Sequence, residues 1–313
     1  MTIFAAHNPD AEIRRDSSAG GIFSMLAERE LSDGGAVYGA SFDSEWHVRH
    51  MRIDNADELW RLRGSKYVFS DIKPIQTEIE RDIEFGRKVL FSGTPCQVAA
   101  IRKRFGDNPA ILLVETVCHG APQPEYWQHY LDELSQKLGK TCADIETINF
   151  RDKRTGWKNY SFTIQFKDGK TFTQLHADNL YMRAFLQNLT LRKGCFVCPF
   201  KYPDGSHADI TLGDFWGISQ LAPEIDNDLG TTIVIARTER GAEFTDYLNQ
   251  DYLLSLEKAS QYNPAITNSA TEPREYGKFQ SVVKTSSFFR IVRRYTSLPL
   301  WLRLKRRLCR LMH

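Results

Sequence analysis

The sequence predicts a mixed α/β (α+β) fold: a partly parallel sheet flanked by helices, with added β-hairpins and a basic amphipathic helix at the C-terminal end. Three observations point there. Between residues 75 and 138 helical and strand patterns alternate, the rhythm of parallel strands joined by helices. After about residue 144 the pattern changes to short alternating runs joined by a tight turn. Beyond Pro299, Trp301, Leu304, Leu308 and Leu311 recur at helical spacing with Arg303, Lys305, Arg306, Arg307 and Arg310 between them.

Taken in order, Asp16 to Ala27 reads DSSAGGIFSMLA, where small and capping residues precede an apolar helical pattern that runs to about Leu31 and stops at Gly34-Gly35. Val37–Phe42 and Trp46–Ile53 read as a strand pair. A polar helix near Ala56–Leu62 follows, then a loop holding Gly64-Ser65-Lys66-Tyr67. The alternating stretch comprises helix Ile75–Phe85, strand Lys88–Phe91, helix Gln97–Arg104, strand Ile111–Val117 and helix Tyr126–Leu138. Strands Ile145–Phe150, Tyr160–Phe166 and Thr171–Gln174 come next, with Asp168-Gly169 as the turn between the last two. Later strands are expected at Asp209–Leu212 and Thr231–Ala236.

Composition sets the frame for function. The chain has 313 residues, 42% of them apolar and 26% charged, enough to bury one large core or two modest ones. The opening segment shows no basic region followed by a long apolar run, and no stretch approaches the roughly 18 consecutive apolar residues of a membrane span. A cytoplasmic protein is expected, in which six cysteines serve as thiols, metal ligands or redox groups rather than disulfides. The net charge of +2 hides an asymmetry. From Lys284 to His313 there are nine basic and no acidic residues, which leaves 32 basic against 39 acidic residues, a net of −7, in the rest. The main body is therefore no nucleic-acid binder on charge grounds, and the tail suits an anionic membrane surface or an acidic partner.

The sharpest chemical signal is Cys195-Phe196-Val197-Cys198-Pro199, because a two-residue spacer lets two sulfurs converge on one metal centre. Cys96, in Gly93-Thr94-Pro95-Cys96-Gln97, and Cys118, in Val117-Cys118-His119-Gly120, each follow a predicted strand and precede a helical segment. In a parallel sheet such strand ends share one edge, so these four sulfurs can meet. Zinc or an iron–sulfur cluster fits that donor set equally well. Cys142 and Cys309 read as structural, and His119 as a hydrogen-bond donor beside a ligand rather than a proton shuttle.

Three other segments can hold anions or rings. Ser17-Ser18-Ala19-Gly20-Gly21 supplies hydroxyls and unobstructed amides before a helix, a cradle for cofactor phosphates, although a capped helix without a ligand explains it as well. Ser65 and Lys66 beside Tyr67 suit a phosphate or an isoalloxazine edge, or else a solvated lysine next to a packed tyrosine. Arg151 to Lys158, a basic turn with an indole, suits an anionic cofactor or substrate, or else a solvated hairpin loop. Asp209 and Asp214 are candidates to cap, to pair with that turn or to face the site, while Phe215 and Trp216 read as fold support.

Several motifs in one order resemble those of the beta subunit of coenzyme F-420 hydrogenases and dehydrogenases, a family related to 7-hydroxymethyl chlorophyll a reductase. They are SSAGGIFS from Ser17, LRGSKYV from Leu62, GTPCQ from Gly93, CHG from Cys118, NFRDKRTGWKNYS from Asn149, the Cys195–Cys198 pair and DITLGDFWGI from Asp209. The resemblance covers nearly everything before about residue 250. It implies FAD and one 4Fe-4S cluster, with Cys96, Cys118, Cys195 and Cys198 as ligands. It also implies Ser17, Ser18, Gly20 and Gly21, with Ser65, Lys66 and the Thr94-Pro95 turn, near the flavin; Arg151 is added as an anion holder. Many relatives carry an N-terminal block of closely spaced cysteines, whereas no cysteine precedes Cys96 here. A separate electron-carrier protein or reduced coenzyme is therefore expected as partner, with a small-molecule substrate. Residues 1–260 are expected to form the catalytic region, 1–85 its N-terminal and 86–260 its C-terminal part, and 261–313 an extension ending in the basic tail. The rival reading is a zinc-stabilised, non-catalytic binding or scaffold protein of the same fold.

Overall fold

In the computed structural model, which describes residues 1–201 and 205–296, the chain opens on a strand that the sequence pattern did not reveal, β1 (Thr2–Ala6). Helices α1 (Ala11–Asp16) and α2 (Ile22–Ser32) follow, and Ser17–Gly21 form the loop between them, ahead of the helix as the sequence indicates. Gly21, at φ +82°, ends that loop in a left-handed conformation that glycine takes without strain. Next come β2 (Ala36–Phe42), β3 (Val48–Ile53), a 3-10 helix at Ala56–Arg61, α3 (Ile75–Glu84), β4 (Val89–Gly93), α4 (Pro95–Phe105), β5 (Ile111–Thr116) and α5 (Pro124–Lys137). A three-stranded antiparallel sheet, β6 (Ile145–Asp152), β7 (Ser161–Phe166) and β8 (Thr171–Leu175), leads into α6 (Leu180–Leu186). The remainder comprises β9 (Ile210–Asp214), α7 (Ile218–Leu221), β10 (Thr232–Ala236), α8 (Glu239–Phe244), β11 (Tyr252–Leu253), α9 (Leu256–Tyr262), α10 (Tyr276–Val283) and α11 (Phe288–Tyr295).

Eight strands form one mixed sheet in the order β11-β1-β10-β9-β5-β4-β2-β3. Strands β2, β4, β5 and β9 run parallel, and the outer pairs are antiparallel. The parallel strands are buried on both faces, as expected for strands with helices above and below. On one face Val37, Leu90, Leu112 and Val114 pack with Ile22 and Leu26 of α2. On the other, Tyr38, Val89, Phe91, Ile111 and Leu113 pack with Ile75 and Ile79 of α3 and Val98 and Ile101 of α4. Alternate side chains pointing to opposite faces explain this division residue by residue.

The second sheet carries its own aromatic core. Phe150 and Phe162 meet Trp127 of α5, Phe150 also meets Tyr181 of α6, and Phe288 of α11 joins the cluster through Tyr130 of α5. Phe288, Phe289, Ile291 and Val292 are all buried there, so the stretch from Phe288 to Thr296 is part of the body, with Arg290 and Arg293 on its outer side. The expected amphipathic helix beyond Pro299, with Cys309 in it, lies outside the described residues. No helix among the described residues is long and apolar enough to cross a membrane.

Candidate functional site

The parallel register decides where the cysteines go. Gly93 of β4 stands beside Glu115 of β5, and Thr116 beside Leu212 of β9, so the segments that follow these strands leave the same edge of the sheet. Cys96 lies in the first turn of α4, where Thr94 and Gln97 form a reciprocal capping box and Pro95 occupies a position that needs no amide donor. Cys118 follows β5 by two residues. Cys195 sits in the 3-10 turn Lys193–Val197, and Cys198 ends it.

Residues 121–123 pair with residues 190–192 through Arg192 N–H to Ala121 O, Gln123 N–H to Thr190 O and a bridge between Pro122 and Leu191. That pairing carries the Cys195 turn to the sheet edge. Gly120 allows the approach: at φ +145°, a Cβ there would stand 2.7 Å from Leu191 and 3.4 Å from Cys195 Cβ.

All four thiols are unpaired and half-buried. Burial pushes the Cys118 thiol up to about 12, with Cys96 and Cys195 adding to the shift and the Lys201 ammonium opposing it. Burial also raises Cys195, with Cys96 and Cys198 adding. Each of the four therefore acts electrostatically on at least one of the others across a shared space. Among the described residues, no three His, Cys, Asp or Glu side chains surround a single metal ion. Positive and donor groups already face the sulfurs. Lys201 Nζ, held by Cys118 O at 2.5 Å and Ala265 O at 2.7 Å, brings a cation, Ala121 N–H donates to Cys195 Sγ at 3.5 Å, and Thr94 Oγ1 is 3.3 Å from Cys96 Sγ. Cys142 stands apart, its thiol directed at Asp132. His119 bonds Asn188 Oδ1 rather than a cysteine.

Behind Cys96 a buried polar chain fixes the turn. Gln97 donates to Ser70 O and Oγ, and His50 bonds Ser70 Oγ with one ring nitrogen and Ser92 O with the other. Burial holds His50 down to about 4, so the ring is neutral and serves as a hydrogen-bonding strut.

The anion-holding candidates assemble next to this edge. Ser18 Oγ accepts from Ser65 N–H at 2.6 Å, which brings the Ser17–Gly21 and Ser65–Tyr67 loops together. Several of their polar groups are spent on the fold. Ser17 Oγ donates to Ile13 O and Gly20 N–H to Thr232 Oγ1, while a Cβ on Gly20 would stand 2.7 Å from Ala6 O. Lys66 Nζ donates to Arg61 O and Arg63 O, closing the preceding 3-10 helix, and burial pushes its pKa down to about 7. Two of its three donors are thus spent on the fold.

Arg151, only 4% exposed, donates from Nη1 to Asp214 Oδ2 at 2.7 Å and lies over the Tyr160 and Trp216 rings. Burial opposes its charge, yet Asp214 beside it holds the guanidinium protonated beyond its ordinary range. Its Nε and Nη2 are buried without an acceptor, so two donors are left for a hydrogen-bonding group at this spot. Asp214 thus pairs with the basic turn, whereas Asp209 serves the sheet, accepting from Leu113 N–H and Thr238 Oγ1. Trp216 stacks on Trp157 at 4.6 Å, and Trp157 Nε1 donates to Ser18 O.

The sequence singles out this basic turn but not the part Lys153 plays within it. Lys153 Nζ donates to Arg14 O, Ala19 O and Leu229 O at 2.6–2.7 Å, locking the Ser17–Gly21 loop to the segment before β10. Nothing in the sequence distinguishes it from its exposed neighbour Arg154, because its partners are distant in the chain.

The cysteine edge and this anion-holding region are neighbours. Cys118 follows β5 and Asp214 ends the adjacent parallel strand β9, and Gly213 lies so close to Val117 that a Cβ would stand 2.6 Å from its Cγ2. The surface hollows lined by Arg102, His207 and Thr238 and by Arg29 and Tyr247 include none of the candidate residues.

Residues 3–75 match the family model described as coenzyme F420 hydrogenase/dehydrogenase, beta subunit N-term, and residues 86–262 match the corresponding C-terminus model. A chain of the F420-reducing NiFe hydrogenase complex from Methanosarcina barkeri is similar in fold, with a TM-score of 0.57 and 18% identity, covering 91% of this chain and 93% of that one. None of the curated proteins matches. With both models matched in order along most of its length, the chain belongs to the coenzyme F420 hydrogenase/dehydrogenase beta-subunit family and has a redox-related function.

Proposed function

We propose that the protein is an iron–sulfur flavoprotein oxidoreductase in which Cys96, Cys118, Cys195 and Cys198 hold one 4Fe-4S cluster beside FAD. The observation that carries this reading is the convergence of four unpaired thiols from three separated segments, each acting electrostatically on another. Ligands drawn from strand ends about a hundred residues apart, Cys96 and Cys118 against Cys195 and Cys198, suit a cluster embedded in the fold better than a structural zinc site, which collects its ligands from short local knuckles. Lys201, the Ala121 amide and the Thr94 hydroxyl supply the charge compensation and hydrogen bonds that tune such centres.

The flavin would lie where the Ser18–Ser65 contact, the Thr94-Pro95 turn and Arg151 approach the sheet edge. When bound, it supplies the exchange between one-electron and two-electron carriers. The protein's own part is to hold and shield. Arg151 offers two unspent donors, Lys153 fixes the loop, and the stacked Trp157 and Trp216 wall off water. Electrons would pass between a separate carrier protein or reduced coenzyme and a small-molecule two-electron acceptor, in the reducing environment of the cytoplasm.

Anaerobic purification followed by iron, sulfide, zinc and flavin determination with a visible spectrum tests the reading. About four iron atoms and one flavin per chain are expected. A colourless, zinc-loaded protein would overturn it.

A further inference from the structure

We propose that the turn from Arg192 to Cys198 is the landing surface for an acidic electron-carrier protein. The inference rests on the cluster reading above and adds where the carrier docks and what charge it bears. Val197, between two of the cysteines, is 79% exposed, the most exposed large apolar side chain among the described residues. Cys198 ends a turn whose neighbours Val197 and Pro199 are exposed. The 195–198 turn is thus the outer rim of the site.

Charge selects the occupant. From Asn179 to Pro203 the chain has four basic residues and no acidic one, although residues 1–283 carry a net −7. Two of the four point inward or away: Lys201 is held by Cys118 O and Ala265 O, and Arg183 bonds Thr296 O. The other two face solvent at the rim. Arg192 is steadied by the Phe69 ring, 3.8 Å from its guanidinium, and Lys193 is exposed at the start of the turn. Glu272 and Glu275 on the neighbouring segment offset part of this charge, but Glu275 is paired with Lys278. A small apolar contact rimmed by steady positive charge suits a transient encounter with an acidic protein, in which electrostatics sets the rate of approach. The carrier would give up one electron to a centre held by the four cysteines, with no bond formed or broken.

The test uses anaerobically purified full-length protein and an acidic 2Fe-2S ferredoxin as probe, with basic cytochrome c as the opposite-charge control. Binding is measured at low and high salt on both the metal-loaded and the metal-free chain. Lys193→Glu and Val197→Asp are each expected to weaken ferredoxin binding about tenfold at low salt. Arg290→Glu, the same charge change on the outer side of α11, should alter it less than about twofold. Iron content and reduction by dithionite are measured on the same samples. Iron-free wild type would overturn the cluster reading while the binding data still read the surface. With iron present, no binding of the acidic probe, tighter binding of cytochrome c, or equal affinity in Lys193→Glu and wild type would overturn the docking surface alone.

Discussion

The two halves of the candidate site are finished to different degrees by the protein itself. On the loop side, Ser17, Ser18, Gly20, Lys66 and Lys153 already have internal partners, and the buried donors left open are Arg151 Nε and Nη2 and Arg14 Nη2. On the cysteine side the backbone is equally well fixed, by the Thr94 capping box and the His50–Ser70–Gln97 chain, but the thiols are left to act on one another. The contrast teaches what each half requires. The loop side is held in shape without help, whereas burial keeps Cys118 and Cys195 as thiols, and the cysteines would be held together as thiolates only with a cationic metal among them.

The largest effect separates the two halves outright. Cys96→Ala, Cys118→Ala, Cys195→Ala and Cys198→Ala are each expected to lose most of the iron and the broad visible absorption, while Cys142→Ala keeps both. Full iron retention in Cys195→Ala would end the ligand assignment.

On the loop side, Lys153→Met removes the donor shared by three carbonyls. The expected loss is about 3–5 kcal/mol in denaturant unfolding, together with reduced flavin retention. An unchanged denaturation midpoint would show that the loop does not depend on this tie.

A third expectation probes the strut behind Cys96. His50 is held down to about 4 in the folded protein, from an ordinary 6.5. As pH falls the unfolded chain takes up the proton first, so stability is lost between about pH 6.5 and 4 and no further below. The Lys66 ammonium adds to this shift, while Asp71 and the bond to Ser92 oppose it. The total is roughly 3 kcal/mol. Urea midpoints against pH for His50→Gln should lack this segment of the acid limb; parallel curves for variant and wild type would contradict it.

The smallest effect concerns the entry to the loop. Asp10 caps α1 by accepting from Glu12 and Ile13 amides, and Asp10→Ala should cost about 1 kcal/mol with iron content unchanged. Loss of iron in this variant would blur the distinction between the halves.

Much of this was legible in the residues because it depends on local pattern. Alternating helices and the buried run Ile111–Val114 marked the parallel block, and strand ends followed by Cys96 and Cys118 marked its edge. Asp168-Gly169 marked the β7–β8 hairpin, where Gly169 takes φ +81°. What escaped has no local signature. β1 is five residues long and without alternation, since four of the five are buried against neighbours on both faces. α6 has buried residues on nearly every side, so its seven residues show no polar stripe. α11 is only eight residues long. Ser17–Gly21 was legible as a loop before a helix, because Gly21 takes the left-handed conformation that holds the helix start at Ile22.

The pairing of β1 with β10 also orders events during synthesis. Thr2–Ala6 emerges first but must wait for Thr232–Ala236, on the order of 10–50 s later at about 5–20 residues per second. Thr232 is also the residue that holds Gly20, and Leu229 helps to hold Lys153. All four cysteines are thus translated before the loop beside them can close. A ribosome-arrested chain exposing residues up to about 225 should present reactive thiols but resist flavin loading, and one extended past Ala236 should accept it; equal loading of the two would show that the loop closes without the late strand.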